Sequence, residues 1–185
     1  MWLAPSLFAP SARGRFPRPA LSGMIPAMRT LIIGYGNPSR RDDGVGLAVI
    51  NGLRQRLRRP LLDEGDDGFA DLGQTVDTLF LQQLMPELAE TLARYDRVWF
   101  VDAHFGIYPE LVHRSPITAQ YDPAMVSHHL KPDALLALMV QLYGGAPSAE
   151  LHSIHGFDFD FGEELSPSTA AGVQQVVEEL WQRVR

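Results

Sequence analysis

No cysteine occurs anywhere in the 185 residues. That excludes a thiol nucleophile, a disulfide frame and any thiolate metal site made by this chain alone. No apolar run approaches the roughly 20 residues needed to cross a bilayer, so a cytoplasmic location with no membrane partner is expected. There is no "HExxH" helix and no "GxSxG" turn, which removes the usual zinc-protease arrangement and the α/β-hydrolase nucleophile elbow.

Acidic residues are missing from one region. Residues 1–28 contain none, but carry Arg13, Arg15 and Arg18 among several prolines, with neither helical nor strand periodicity. The prolines break the uninterrupted apolar stretch that a signal peptide needs. The segment shares its composition with organelle transit peptides, but reads as a disordered tail or an over-long gene start, with Met28 as the plausible beginning. Residues 29–185 then form a single domain.

Basic charge is scarce in that domain. The whole chain has a formal net charge of −6; without the three tail arginines, 13 basic residues face 22 acidic ones, a net charge of −9. Phosphate neutralisation supplies most non-specific nucleic-acid affinity, so nucleic acid is not the expected partner.

What is present alternates. "RTLIIGYG" reads as a strand, and "DGVGLAVINGLRQRLRR" spaces Val45, Ala48, Val49, Leu53 and Leu57 along one helical face. Residues 58–73 are rich in Gly and Asp and read as a loop. "TVDTLFLQQ" is a second strand, and Pro86 opens a helix carrying Leu88, Leu92 and Tyr95. The unbroken Val98–Val101 run predicts a strand covered on both faces, and hence central. "SPITAQYD" reads as a short edge strand with Pro116 near its start. "KPDALLALMVQLYGG" is a helix with Leu135, Leu138, Met139 and Leu142 inward and a Gly pair as its stop. "ELHSIHGFDFDFG" is the last strand and a loop. The closing helix buries Val173, Val176, Val177, Leu180 and Val184. Alternating strands and helices predict a three-layer α/β/α sandwich around a largely parallel twisted sheet.

Ligands of such sheets bind beyond the carboxyl ends of the strands. Three places can converge there. Asp42 and Asp43 follow the first strand, Asp102 ends the apolar "VWFVDA" run, and Ser127, His128 and His129 precede the helix near Pro132. "GYGNPSRRDDGVG" is a poor nucleotide loop, because Ser39 stands where a third Gly belongs and carboxylates at a helix start oppose a pyrophosphate. Either Asp42 or Asp43 can instead cap the helix, while Gly44 and Gly46 permit a sharp turn and close approach to a guest. Asp102 is read as a cap, a turn residue or a functional carboxylate; His128 rivals His129. Two carboxylates and one imidazole together make an unfinished divalent-metal site, suited to an ion shared with another molecule. His152 and His155 of "HSIH", three residues apart on a strand, point to opposite faces and read as structural.

Three segments in register carry a resemblance. "LIIGYGNPSRRDDGVGLAVI", "VDTLFLQQLMPELAETLARYDRVWFVDA" and "SHHLKPDALLAL" resemble the opening turn, the "DA" strand and the histidine-before-helix segment of the hydrogenase maturation endopeptidases. The match spans about residues 29–184. The resemblance implies an α/β/α protease domain of phosphorylase/hydrolase-like, aspartic-type character. Its substrate would be the precursor of a nickel-iron hydrogenase large subunit, cut once near its C-terminus after nickel insertion. It also implies that Asp43, Asp102 and His129 contact nickel supplied by the substrate, with Asp43 and Asp102 in the catalytic role. Many family members have Glu where Asp43 stands. Arg40 and Arg41 are then either solvated loop arginines or a grip on the substrate's acidic end, and the "FDFDFGEEL" loop either touches substrate or tucks its rings inward. "GYGNP" also resembles the opening of peptidyl-tRNA hydrolase, which needs a His after the turn that "SRRDDGVG" lacks. A non-catalytic module binding a metallated partner is the remaining alternative.

Overall fold

A computed structural model describes residues 27–63, 65–120 and 130–185. Almost all of the expected tail at 1–28, the candidate ligands His128 and His129, and the end of the "SPITAQYD" segment lie outside the described residues.

Five strands form one sheet: β1 (Thr30–Tyr35), β2 (Val76–Leu81), β3 (Arg97–His104), β4 (Val112–Ile117) and β5 (Ser148–His155), in the order β2-β1-β3-β5-β4. All neighbours are parallel except β4, which runs antiparallel to β5 at the edge. β3 is central, as its unbroken apolar run requires, with Val98 to Val101 almost fully buried. Among the described residues four α-helices complete the layers: α1 (Val45–Arg56), α2 (Leu88–Leu92), α3 (Pro132–Tyr143) and α4 (Pro167–Val184).

Strand parity sorts the core into two halves. Ile32, Trp99, Val101 and Ile154 pack with α1 and α4, whereas Leu31, Ile33, Val98 and Phe100 pack with α2 and α3. The chain leaves β1 for β2 by way of α1 on one face, then crosses back to β3 by way of α2 on the other. The carboxyl ends of β1 and β3 therefore flank the point where the winding reverses, which is where open α/β sheets leave a crevice.

Some details differ from the sequence reading. α2 is a five-residue helix. Tyr95 falls beyond it, yet stays buried by donating its hydroxyl to Asp77 at 2.8 Å. β4 starts before Ser115, so Pro116 lies near its end; an edge strand tolerates the missing N–H. On α3, Ala134, Leu136 and Ala137 join Leu135 and Met139 inside, and Leu142 turns outward at the helix end. Gly144, in the left-handed conformation, stops that helix.

Candidate functional site

The turn after β1 is built by backbone crowding. A Cβ on Gly34 would stand 2.3 Å from the carbonyl oxygen of Gly46, so only glycine lets α1 start against the strand it has just left. Gly36, at φ 131°, faces the carbonyl of Asp43 so closely that a Cβ would lie 2.2 Å from it. Gly44 has an ordinary φ of −78°, so the turn does not use its freedom. Asp43 is held over the end of β1, its Oδ2 accepting the Asn37 N–H at 2.9 Å.

Asp102 belongs to the next strand. It continues the Val98–Phe100 row toward α3 and lies one step past the Gly34–Val101 pair, level with Tyr35. The Tyr35 hydroxyl donates to its carboxylate, and the Ala103 N–H reaches Oδ1 at 2.8 Å. Burial, above all, pushes the Asp102 carboxyl up to about 6, and the nearby charge of Asp43 adds to the rise against the pull of those two hydrogen bonds. Tyr35 is driven well above its ordinary value by burial, then by Asp102 and by Asp133. It therefore keeps its proton at neutral pH and stays a hydrogen-bond donor to Asp102. Asp133, in the first turn of α3, is near enough for its charge to add to the rise at Tyr35.

The structure therefore brings Asp43 near enough to Asp102, at the switch point, for its charge to raise the Asp102 carboxyl. His129 lies outside the described residues. Among the described residues, no three His, Asp or Glu side chains are grouped closely enough to hold a metal ion. A shallow groove lined by Pro38, Leu47, Ala48, Asn51 and Leu165 opens on the α1 side. Neither Asp102 nor Tyr35 lines it, so the site chemistry lies elsewhere.

Asp42 corrects the capping expectation. Neither the short 3-10 turn at Arg41–Gly44 nor α1 has a side-chain cap. Asp42 is instead fully buried and accepts hydrogen bonds from the amides of Phe157, Asp158 and Ser166 and from the hydroxyls of Ser166 and Thr169. Burial alone would raise its carboxyl; the hydrogen bonds outweigh it and hold the group below its usual value.

Arg40 and Arg41 are likewise neither simply solvated nor free to grip a substrate. Arg40 donates from Nε and Nη2 to the Phe159 carbonyl at 3.1 and 2.9 Å. Arg41 bonds the Phe161 carbonyl and pairs with Asp158 at 3.2 Å. Both staple the "FDFDFG" loop to the acidic turn.

Two residues escaped the sequence reading. Tyr35 sits inside an apolar strand, and only the β1–β3 pairing reveals its partner. His104 follows Asp102 by two and shares its face, a signal that strand parity alone could supply. It is buried, its Nδ1 accepts the Gly106 N–H at 3.2 Å, and its ring stacks on His155 at 5.1 Å. Burial, followed by His155 and His113, keeps its pKa low. His152, on the opposite face as expected, packs edge-on against Trp99.

Fold and site together define a switched, mostly parallel α/β/α domain with an acidic pair at the reversal of winding. Solved structures share that architecture. The NiFe hydrogenase maturation protease HycI from Thermococcus kodakarensis KOD1 is 23% identical, with 85% of this chain and 92% of that one covered and a TM-score of 0.57. The hydrogenase maturating endopeptidase HybD from E. coli is 20% identical, with 85% and 93% covered and a TM-score of 0.59. A hydrogenase 2 maturation peptidase from Thaumarchaeota archaeon SCGC_AB-539-E09 is 20% identical, with 84% and 97% covered and a TM-score of 0.54. No protein-family model and no curated protein matches the sequence. The likeness establishes a shared fold. Among the described residues no helix is long and apolar enough to cross a membrane.

Proposed function

We propose that this protein is an endopeptidase that removes a C-terminal extension from the nickel-loaded large subunit of a nickel-iron hydrogenase. The observation that carries the reading is the pairing of Asp43 with a desolvated Asp102 at the switch point, in a fold shared with three proteins named as hydrogenase maturation peptidases. Three segments of the sequence resemble that family in the same order.

The nickel arrives with the substrate. Carboxylate and imidazole are poor competitors for a metal already held by thiolates, so Asp43, Asp102 and His129 would contact the ion without removing it. Contact with the ion makes cleavage conditional on loading. The metal fixes the position of the substrate's C-terminal segment over the crevice, and a carboxylate serves as base for the attacking water. Asp102 suits both tasks: with its carboxyl at about 6 it is mostly ionised at neutral pH, yet more basic than an ordinary aspartate. The Tyr35 hydroxyl and the Ala103 amide hold that carboxylate in place. The domain's net negative charge disfavours a tRNA substrate, and no histidine follows the turn, so the peptidyl-tRNA hydrolase alternative gains no support.

The test is cleavage by the isolated protein. Nickel-loaded precursor should be shortened at its C-terminus, as read by mass, and nickel-free precursor should stay intact. Asp102→Ala and His129→Ala should abolish cleavage with the fold retained. Equal cleavage of both precursors, or full activity in those variants, would overturn the proposal.

A further inference from the structure

We propose that the aromatic rim made by the β3–β4 loop and residues 157–162 is the docking surface for the body of the protein substrate, and that it takes an apolar segment flanked by cationic side chains. The proposal rests on the protease reading above. Four large apolar side chains stand out here: Phe105 at 73% exposed, Ile107 at 72%, Phe157 at 56% and Phe161 at 88%. Phe105 and Phe157 belong to one surface, because Phe105 stacks on Phe159 at 3.9 Å and Phe157 on His155 at 4.1 Å, while Gly106 lies against that same histidine; Ile107 follows Gly106 in the chain, and Phe161 stands two residues after Phe159 on the same loop. Isolated exposed apolar residues are ordinary, but a contiguous aromatic group marks a site of association.

The 157–162 side of the rim is held firmly to the acidic turn. The Arg40 guanidinium grips the Phe159 carbonyl, the Arg41 N–H donates to Gly162 O at 2.8 Å, and the Gly162 N–H donates back to Ser39 O at 3.0 Å. The buried Asp42 carboxylate accepts the Phe157 and Asp158 amides. Side chains held on a fixed backbone lose little further entropy on binding, which is the condition for aromatic anchors. These bonds come from the residues immediately before Asp43. The rim and the cleavage site are therefore one continuous body, and a substrate seated on the first is registered against the second.

Charge selects the occupant. Asp160 stands between Phe159 and Phe161, Glu163 and Glu164 follow the loop directly, with Glu163 at the edge of the α1-side groove, and all three are exposed and make no ion pair among the described residues, whereas Arg40 and Arg41 bond the loop. A second copy of this chain would set that acidic fringe against itself. A partner with basic side chains around an apolar segment would not.

The experiment is steady-state cleavage of the nickel-loaded precursor by the full chain, with Phe105→Ser/Phe161→Ser and Glu163→Lys/Glu164→Lys as variants and circular dichroism as the folding control. The aromatic pair should raise KM tenfold or more while kcat at saturating precursor changes less than about twofold. The charge reversal should raise KM several-fold at low salt and by much less at high salt. Unchanged KM in both folded variants, or a loss confined to kcat, overturns the docking surface while leaving the protease reading intact. Self-association of the parent that disappears in the aromatic variant would assign the rim to a second copy and also overturn it. A parent that does not cut nickel-loaded precursor overturns the protease reading itself, and the docking proposal with it.

Discussion

Replacing Asp102 by Asn should stabilise the protein while abolishing the proposed cleavage. The carboxyl rises from the ordinary 3.8 to about 6 because folding takes it out of water beside Asp43. A rise of that size corresponds to about 3 kcal/mol of cost to the folded state whenever the group is ionised. Residual solvent contact at the crevice mouth reduces that to about 1–2 kcal/mol. Asn keeps one acceptor oxygen for the Ala103 amide, its NH2 can donate to the Tyr35 hydroxyl oxygen, and the charge is removed. Because the folded pKa lies above the unfolded one, the cost is absent below about pH 4 and fully present above about pH 6. Thermal unfolding followed across that window should show Asp102→Asn melting about 2–6 °C above the parent at pH 7.5 and level with it at pH 4. A variant less stable than the parent by the same margin at both pH values would show that the carboxylate is a structural anchor, and the argument from desolvation would fail.

Three further outcomes follow from the same geometry. Asp42→Asn places an NH2 among the amides and hydroxyls that point at this buried carboxylate, and should cost about 3–4 kcal/mol in chemical denaturation; the parent's own share of that stability is present above the ordinary aspartate pKa and is lost as pH falls below about 4. His152 is held at about 4, first by burial and against the pull of Glu150, so the parent should lose stability as pH falls from about 6.5 toward 4, and His152→Gln should flatten that limb of the urea-unfolding profile. Arg40→Ala should speed amide hydrogen exchange in residues 157–162 without changing exchange in β1 or β3, since it removes both bonds to the Phe159 carbonyl.

Much of the fold could be read from short-range pattern. Val98–Val101 announced a central strand because four consecutive large apolar residues fit only a strand covered on both faces. The same run located Asp102, since a carboxylate straight after it must sit at the sheet's rim. Other features depend on contacts distant in sequence. Asp42 and Asp43 are adjacent and chemically identical, yet one turns inward to hold residues 157–169 and the other faces the β1 turn. Nothing local separates them, because the donors that claim Asp42 lie more than a hundred residues away. Arg40 and Arg41 read as loop cations for the same reason. Tyr35 was invisible as a site residue because its hydroxyl finds Asp102 only once β1 and β3 pair. The spacing of Leu142 points inward, but it lies in the last turn before Gly144 and is exposed.

The claim on which the functional account stands is that oxygen and imidazole donors from this chain reach a nickel ion that belongs to another protein. X-ray absorption at the nickel edge, recorded on nickel-loaded precursor alone and with a stoichiometric amount of this protein frozen before cleavage, measures that contact directly. The account predicts that oxygen and nitrogen neighbours are added around nickel while its sulfur neighbours persist, and that Asp102→Ala removes the added signal. A nickel spectrum unchanged by the complex would contradict it.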